Sequence, residues 1–469
     1  MEKSLVLSFY NTFVDNINPQ GDHILFNSRT GKQLKITNDL RECLEEGKFH
    51  EIPNQLLEKL TGMKALIQEG EDELGSILEQ NKDALKSSTS LYQVIMPSGS
   101  CQLGCYYCGQ AHRKVELTDK MNVKILERVE EKISKGNYNN LSIGWFGGEP
   151  LMALQQLRFL SGKFQEITSR KKMTYQSSMT TNGLSLKPNI YRELVTDHRV
   201  KSIEVTLDGT KEYHDKHRYL KSGGGSFDII VNNLKGIFAL EDFDDLDCKI
   251  TIRCNLDNKN YESFVPLLNK LKEEEFQGKI KYVYPVGIYS WGNDAHLNSP
   301  EKQEQAKAEL LWYSEMYKRG FWLNLMPGRK KDVCLSVNED SDVYDANGDV
   351  WNCTETPYVK IYSESDYKIG NLLEGKYIKK NVITEWNDEL KKDQYWCNKC
   401  PVLPMCGGRC PKSWVEGIPA CPTFKFNLKD RLLGTYYLNK KRNFTDDERV
   451  SFEQHHKNNP FIQSLISVE

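Results

Sequence analysis

The sequence lacks any uninterrupted apolar run of about 18 residues, the length that a membrane-spanning helix requires. Its first residues, 1–7, are interrupted by charge too soon to form the apolar core of a signal peptide. The sequence also lacks an excess of charge of either sign, since its formal net charge is −2. Electrostatics therefore gives no argument for nucleic acid as a partner. We therefore expect a cytoplasmic protein that binds neither membranes nor nucleic acid.

Cysteine, by contrast, is abundant and unevenly distributed. The chain has 13 cysteines, with three in residues 101–108 and five in residues 397–421. A reducing cytosol disfavours disulfides, and clustered cysteines in such a protein usually bind metal. We predict metal sites at both groups. The outlying Cys43, Cys248 and Cys254 are predicted to be buried apolar thiols.

The middle of the chain, from about residue 91 to 325, alternates short apolar runs with amphipathic stretches. This pattern predicts an α/β fold with a parallel sheet and crossover helices. The six predicted strands are residues 92–96, 141–146, 174–180, 202–207, 249–255 and 281–286. Periodicity leaves an open sheet and a partial barrel as alternatives, and in both ligands gather at the carboxyl ends of the strands.

Composition changes along the chain predict four domains, at residues 1–85, 86–325, 326–430 and 431–469. The first contains two predicted strands around residues 23–36, two helices, a closing strand near residue 66 and an acidic run that we interpret as the start of a linker. The third is rich in glycine, proline and cysteine, as in loop-rich domains that metal stabilises. The last is predicted to be a polar, partly helical tail.

Cys101, Cys105 and Cys108 lie directly after the first predicted strand, with three and then two residues between them. Three thiolates on one tight loop can surround a soft metal centre, and Gly104 lets the backbone fold around it. Three are one short of the four that close a structural zinc or iron–sulfur site. The loop therefore predicts a metal centre with an open position, as a catalytic metal needs.

This loop resembles the signature of the radical S-adenosylmethionine (SAM) superfamily. Four further segments resemble that family in the right order, each at a predicted strand end: Trp145-Phe146-Gly147-Gly148-Glu149-Pro150, Thr180-Thr181-Asn182-Gly183, Thr206-Leu207-Asp208-Gly209 and Arg253-Cys254-Asn255. The resemblance implies a partial (β/α)6 barrel and a four-iron cluster on the three cysteines. Its unique iron would be chelated by SAM, whose reductive cleavage gives a 5′-deoxyadenosyl radical that abstracts hydrogen.

The same resemblance implies which residues contact SAM. Tyr107 is expected near the adenosine, and Gly147, Gly148 and Glu149 at the methionine amino group; the further candidates are Thr181, Thr206, Arg253 and Asn255. The alternative for these four is that they form hydrogen bonds that shape strand ends. Glu149 is harder to explain by a structural role than these four residues, since a charged side chain flanked by glycines and proline contributes little to packing. His214 and His217 are predicted to have structural roles.

The C-terminal cysteines have spacings that suit zinc and iron–sulfur equally well. Their arrangement resembles the SPASM extension of radical SAM peptide-modifying enzymes, which implies two auxiliary clusters. One would be ligated by Cys397, Cys400, Cys406 and Cys421, and the other by Cys334, Cys353 and Cys410. The fourth position of the second cluster stays open among three alternatives: an open iron, an oxygen ligand such as Asp340 or Asp342, and a smaller cluster.

Residues 1–85 resemble the winged-helix-like element with which maturases of ribosomally made peptides bind a leader sequence, by adding it as a strand to a sheet edge. The alternative is an inert cap. We expect an enzyme that installs a crosslink, thioether or carbon–carbon, in a precursor peptide and receives electrons from a donor such as flavodoxin or ferredoxin. The alternatives are a sulfatase-maturing oxidase that makes formylglycine and a non-catalytic iron–sulfur scaffold.

Overall fold

The computed structural model describes residues 4–289, 291–378, 381 and 383–467. Within these ranges no helix has the length and apolar character needed to cross a membrane. The N-terminal unit, residues 4–86, contains β1 Leu5–Leu7, β2 Asn11–Val14, β3 His23–Asn27, β4 Lys32–Ile36, α1 Asn38–Glu45, α2 Asn54–Gly62, β5 Leu66–Gln68 and α3 Glu73–Lys86. Strands β2, β3 and β4 form an antiparallel sheet with β3 in the middle, and β1 pairs with β5.

The middle of the chain forms a parallel sheet flanked by helices. Its elements are β6 Ser90–Ile95, α4 Asp119–Lys135, β7 Asn140–Trp145, α5 Leu154–Arg170, β8 Thr174–Thr181, α6 Pro188–Thr196, β9 Val200–Thr206, α7 Lys211–His217, α8 Phe227–Phe238, β10 Lys249–Leu256, α9 Phe264–Glu273, β11 Ile280–Gly287 and α10 Lys302–Lys318. Strands β6 to β11 are neighbours in sequence order and all parallel. The six strands and the α/β class predicted from the sequence are confirmed.

The C-terminal cysteine region continues this sheet beyond β6. Its elements are β12 Val343–Tyr344, β13 Asp349–Trp351, β14 Lys368–Asn371, β15 Lys376–Tyr377, α11 Trp386–Glu389, α12 Leu403–Cys406 and α13 Pro411–Val415. The two-residue strand β12 pairs in parallel with β6, and β13 to β15 follow as antiparallel neighbours. Strands this short have no readable periodicity, so the sequence predicted only loops here.

The segment expected as a polar tail contains three helices, α14 Phe424–Lys440, α15 Asp446–His455 and α16 Pro460–Ile466. Helices α14 and α16 pack on α10 and on each other, and α14 also packs against β2. Their buried apolar residues include Leu432, Phe452 and Ile462. Nε2 of His456 lies 3.0 Å from the carbonyl oxygen of Ile17, so this helical segment contacts the N-terminal unit directly.

The acidic run after β5 does not begin a linker, contrary to our interpretation of its charges. Glu71 and Glu73 each form an ion pair of 2.8 Å with Arg29, whose side chain is only 6% exposed. Helix α3 begins at Glu73, and its Ile77 and Leu78 are buried in the same core as the parallel sheet. The carboxylates therefore neutralise a buried arginine 42 and 44 residues earlier, a partner that a charge pattern cannot reveal.

Candidate active site and auxiliary cysteine sites

The loop with the first three cysteines leaves the carboxyl end of β6 and is fixed by residues 217–221. The Gly104 amide donates to the Tyr219 carbonyl (3.0 Å), and the Lys221 amide donates to the Gln102 carbonyl (2.9 Å). A Cβ atom on Gly104 would lie 2.5 Å from the Tyr219 ring. Gly104 therefore lets the two segments lie close together without displacing the Tyr219 ring, which is exposed and could otherwise move aside.

The three cysteines line one cavity together with side chains from the carboxyl ends of the neighbouring strands. Of the residues that we predicted to contact SAM, the cavity is lined by Tyr107, Gly147, Gly148, Thr181, Thr206, Arg253 and Asn255. They converge because parallel strands end at the same edge of the sheet. Among the lining residues that we did not predict are Gln110, Asn182, Arg218 and Glu355.

Glu149 is fully buried beside this cavity, and its carboxylate joins two strand ends. It accepts hydrogen bonds from the Leu151 amide (3.0 Å), the Thr181 hydroxyl (2.8 Å) and the Asn182 amide (2.7 Å). Burial raises the pKa of Glu149, and these three bonds partly offset the rise. The side chain thus has a structural role that the sequence did not suggest, while its contact with SAM remains a prediction.

A buried network lies beneath the cysteine loop. The Tyr107 hydroxyl donates to Asp208 (2.6 Å) and accepts from Arg218 (2.5 Å) and Asn255 (3.1 Å). The Asn255 amide also donates to Asp208 (2.8 Å). Four segments of the chain are thereby held in one arrangement, with Tyr107 at the centre. The sequence pointed to Tyr107 and Asn255 through the resemblance, but not to their connection through Asp208.

Arg253 reaches into the same cavity from β10. Its Nε donates to Asn255 (2.9 Å), and its guanidinium lies 3.9 Å from Glu204 of β9. Glu204 also accepts a hydrogen bond from the hydroxyl of Tyr284 on β11. The polar residues at the strand ends are therefore linked to one another. This agrees with the alternative interpretation that they shape the strand ends through hydrogen bonds, although they also line the cavity.

The geometry fits a cluster and a small polar cofactor. A Cβ atom on Gly148, where φ is +42°, would lie 2.5 Å from the Ser100 carbonyl oxygen, so only glycine lets the two backbones meet. Gln110 Nε2 and Arg218 Nε are buried without a hydrogen-bond partner in the described part of the chain, and both residues line the cavity. A ligand with acceptor oxygens, such as the carboxylate of an amino acid, would satisfy both donors.

Burial raises the pKa of the loop thiols, to about 12 for Cys105 and about 11 for Cys108. Without metal these thiols are protonated at neutral pH, so binding iron must displace their protons. Across the described residues, no three Cys, His, Asp or Glu side chains converge on one point for a single metal ion. A polynuclear cluster does not require such convergence, because each thiolate binds its own iron.

The C-terminal cysteines fall into the two sets that the resemblance implied. Cys397, Cys400, Cys406 and Cys421 line one small chamber, whose walls include Trp396, Trp414, Val402, Leu403 and Pro422. The first three of these cysteines are buried and Cys421 is half-buried. The structure therefore brings the four predicted ligands together in a mostly apolar enclosure, where Nζ of Lys425 lies 3.7 Å from Sγ of Cys421.

Cys334, Cys353 and Cys410 form the second set. Burial raises the thiol pKa of Cys353, and the neighbouring Cys410, Cys334 and Glu355 raise it further. Asp332 has the same effect on Cys334. The acidic side chains that influence this set are thus Asp332 and Glu355, and neither was among our candidates for an oxygen ligand.

Asp340 and Asp342, which we considered as oxygen ligands, both contact side chains of the parallel-sheet region. Oδ2 of the fully buried Asp342 contacts Arg128 and Lys132 of helix α4, each at 2.6 Å, and accepts from the Tyr344 hydroxyl at 2.9 Å, whereas Oδ1 has no hydrogen-bond partner among the described residues. Asp340 accepts a hydrogen bond of 2.5 Å from the hydroxyl of Tyr138. The fourth position of this second cluster therefore remains a prediction with the same three alternatives.

The cysteines outside these sets differ in burial. Cys254 is fully buried in β10, as predicted, whereas Cys43 and Cys248 are half-buried. His214 is buried and accepts from the Asp208 amide (3.1 Å), in line with its predicted structural role. His217 is also buried, and its carbonyl accepts from the Tyr106 amide (3.2 Å).

Comparison with known proteins shows which family the region with the parallel sheet matches. Residues 95–271 match the radical SAM superfamily. These residues form a radical SAM domain. The enzyme that uses a four-iron cluster and SAM, which the resemblance implied, is thereby confirmed, while the individual ligands and SAM contacts remain predictions.

Relatives of the radical SAM domain extend over much of the chain. A cysteine-type anaerobic sulfatase-maturating enzyme of Clostridium novyi (strain NT) is 22% identical over 379 residues, covering 75% of this chain and 98% of that protein. A radical SAM cyclopropyl synthase, TigE, of Paramaledivibacter caminithermalis is 26% identical over 255 residues, 50% of this chain and 48% of the other. The solved structure of anSMEcpe with bound AdoMet and Cp18Cys peptide shares the fold, with a TM-score of 0.51, 17% identity and coverage of 76% and 98%.

Proposed function

We propose that this chain is a peptide maturase that removes a hydrogen atom from a ribosomally made precursor peptide and installs a thioether or carbon–carbon crosslink or a related modification. One observation carries the proposal: Glu355, from the C-terminal cysteine region, lines the same cavity as Cys101, Cys105 and Cys108. Two cysteine regions therefore face one reaction space. The relatives support a peptide as the substrate, because they include sulfatase-maturating enzymes and a structure with a bound peptide.

The cysteines of the loop are the proposed ligands of the catalytic cluster. When bound, the cluster and SAM would supply the radical chemistry that removes a hydrogen atom. The C-terminal cysteines would hold clusters that could serve as the acceptor for the electron that crosslink formation releases. Gly147 and Gly148 let the backbone approach the amino group of SAM, and the free donors of Gln110 and Arg218 receive its carboxylate. The buried network around Tyr107 keeps this binding surface rigid.

Glu355 is the proposed proton acceptor. Formation of the new bond releases a proton from the peptide group that attacks, and a nearby base must receive it. Burial raises the pKa of Glu355, and the cations of Arg253 and Lys412 only partly oppose this effect. A carboxylate with a raised pKa is a stronger base at neutral pH than an exposed one. Glu355 also lies two residues after Cys353, a proposed ligand of the adjacent cluster.

The N-terminal unit is the proposed binding site for the leader of the precursor. Its three-stranded sheet has β2 and β4 at its edges, and β2 packs against α14. Strand β4 lies beside a groove toward α2, lined by Lys32, Gln33, Leu34, Lys59, Gly62 and Met63. A leader can add to β4 as an antiparallel or parallel strand. The two lysines favour a leader with acidic side chains beside its apolar positions.

The decisive experiment is mass spectrometry of candidate precursor peptides after anaerobic incubation with reconstituted enzyme, SAM and a reduced flavodoxin or dithionite. We expect loss of two hydrogens from a peptide encoded beside this gene, with no change when SAM is omitted. Unmodified peptide together with active SAM cleavage would contradict the peptide-maturase proposal.

Formylglycine formation is the second candidate, because three of the relatives are named as sulfatase-maturating enzymes. The match to the Clostridium novyi enzyme covers 98% of that protein but only 75% of this chain, so a quarter of this chain has no counterpart there. Peptides that carry the cysteine or serine of a sulfatase site, assayed in parallel, separate the two functions. Conversion of that residue to an aldehyde would favour the oxidase.

The leader site is tested separately by charge reversal in the groove. We expect Lys32→Glu with Lys59→Glu to weaken binding of a labelled acidic leader by at least about tenfold, or about 1.4 kcal/mol, with little effect on SAM cleavage without peptide. Lys307→Glu, at an exposed position of α10, is the matched control. Equal leader affinity in all three proteins would leave the unit as a cap.

A further inference from the structure

A lysine–histidine pair lies against the catalytic cysteine loop, and its histidine, His112, lines the same cavity as the three cysteines. Nζ of Lys221 lies 2.8 Å from Nδ1 of His112 and donates to the carbonyl oxygen of Cys101 at 3.1 Å. The backbone of this lysine is itself bonded to the loop, because its amide donates to the Gln102 carbonyl at 2.9 Å. The pair is therefore fixed to the segment that carries the proposed cluster ligands.

The chemistry of the pair determines where the imidazole has its hydrogen. An ammonium group can only donate, so Nδ1 of His112 accepts from Lys221. A neutral ring that accepts at Nδ1 must have its hydrogen on Nε2. Nε2 of His112 lies 3.9 Å from Sγ of Cys108, so its N–H is directed at that sulfur.

We infer that Lys221 and His112 are positioning residues that raise the reduction potential of the cluster bound by Cys101, Cys105 and Cys108. This inference rests on the proposed assignment of those three cysteines, but not on the identity of the peptide. The reduced cluster has one more negative charge than the oxidised cluster. An N–H directed at a ligand sulfur and a cation beside the loop both stabilise that charge.

A second donor reaches the loop from the interior. Nδ2 of Asn182 lies 3.6 Å from Sγ of Cys101, and the same amide group donates to Gln102 at 3.0 Å. Asn182 also donates to Glu149 through its backbone amide, so replacing Asn182 would disturb the hydrogen bonds that hold the buried Glu149 carboxylate. His112 is half-buried and Lys221 is exposed, so this pair can be changed with little effect on the core.

The test is a redox titration followed by electron paramagnetic resonance, on full-length reconstituted protein without peptide. The catalytic cluster is identified by the change that SAM causes in its signal. We expect His112→Phe to lower the ratio of reduced to oxidised cluster about tenfold at the wild-type midpoint, which equals about 59 mV for a one-electron couple. The midpoint potential of His112→Gln, which retains an N–H donor, should lie between those of the wild type and His112→Phe.

Lys221→Met should lower the midpoint in the same direction, and should have a smaller effect when His112 is already Phe, because the two residues act through one path. Lys114→Met, at an exposed position two residues after His112, is the matched control for loss of charge and should leave the midpoint unchanged. The signals of the C-terminal clusters serve as an internal reference and should not shift in any variant.

Wild-type midpoints in both His112→Phe and Lys221→Met would overturn the inference, as would an equal shift in Lys114→Met. If His112→Phe does not bind its full iron, the comparison of Lys221→Met with Lys114→Met decides. A wild-type protein that lacks a SAM-sensitive signal would refute the cluster assignment, and the inference with it. A normal signal with unmodified peptide would refute only the maturase proposal.

Discussion

The cysteine loop at residues 101–108 opens onto a cavity with many charged and polar side chains, whereas Cys397, Cys400, Cys406 and Cys421 surround a chamber whose walls are mostly apolar, with Lys425 as the one charged side chain among its lining residues. In that chamber the rings of Trp396 and Trp414 meet edge to face, with centroids 5.1 Å apart. Solvent access and the polarity of the shell control what a metal centre does. The open region suits binding of cofactor and substrate, and the enclosed region suits storage and passage of electrons.

The third set, Cys334, Cys353 and Cys410, is intermediate between these two. It belongs to the C-terminal region by sequence, but Glu355 connects it to the catalytic cavity. The difference between the two regions is therefore not one of cysteine number or spacing. It depends on which side chains fill the space in front of the thiols.

The strongest test of the comparison removes the thiols of one region at a time. Replacing Cys101, Cys105 and Cys108 by Ala should abolish formation of 5′-deoxyadenosine, because these thiols alone line the open cavity. Iron should fall from about 12 to about 8 atoms per chain, counting four per cluster. Replacing Cys397 and Cys406 by Ala should lower iron while SAM cleavage persists. Persistent cleavage in the first variant would refute the assignment, and stoichiometric zinc would favour a zinc site in the C-terminal region.

Glu355 belongs to the C-terminal cysteine region and lines the cavity of the cysteine loop. Its role is tested by Glu355→Gln, which keeps the shape of the side chain and removes its basicity. We expect peptide modification to fall roughly 100-fold, as for loss of a general base. Cleavage of SAM without peptide should stay near the wild-type rate. Glu364→Gln, at an exposed position of the same region, is the control. A proportional loss of both activities would show that Glu355 acts on cofactor binding instead.

The enclosed chamber is tested by Trp414→Phe. The Trp414 indole donates to the carbonyl oxygen of Gly408 (2.8 Å), which lies in a turn where Gly407 and Gly408 both have positive φ. Losing this bond leaves a buried acceptor unpaired, at a cost of about 1–3 kcal/mol in the free energy of unfolding. Chelators should also remove C-terminal iron faster. Trp396→Phe, in a ring that is 45% exposed, should have less effect.

The last prediction is a pH dependence of stability at the turn between β12 and β13, which leaves activity at neutral pH unaffected. Burial and the nearby Asp349 raise the pKa of Asp345 to about 7. Because the folded state retains this proton longer than the unfolded state, stability should fall as pH rises from about 4 to 7, by up to about 1.4 kcal/mol per pH unit. Thermal unfolding of wild type and Asp345→Asn between pH 5 and 8 checks this. Parallel curves would contradict it.

Much of the open site was predictable from the sequence because its parts are local. The three cysteines lie within eight residues, and the polar residues at strand ends converge wherever parallel strands share an edge. The six strands were recognisable because each is long enough for an apolar run. Burial of Cys254 followed from its place in such a strand.

The remaining features depend on distant partners. Glu149 is engaged by Thr181 and Asn182 on the next strand end, and Asp342 by Arg128, 214 residues earlier. Strand β12 has only two residues and exists because β6 offers it an edge. No periodicity or spacing describes such pairings, so the sequence could suggest the cysteine sets but not which carboxylates approach them.

Contact between the first and last parts of the chain affects the order in which the protein can be made. Strand β2 packs against α14, and the carbonyl oxygens of Asn16 and Ile17 lie within 3.0 Å of His455 and His456. On the ribosome, residues 11–17 emerge more than 400 residues before these partners. Their apolar side chains cannot be covered until α14 to α16 have emerged, so the ribosome-bound chain exposes an apolar surface that favours aggregation.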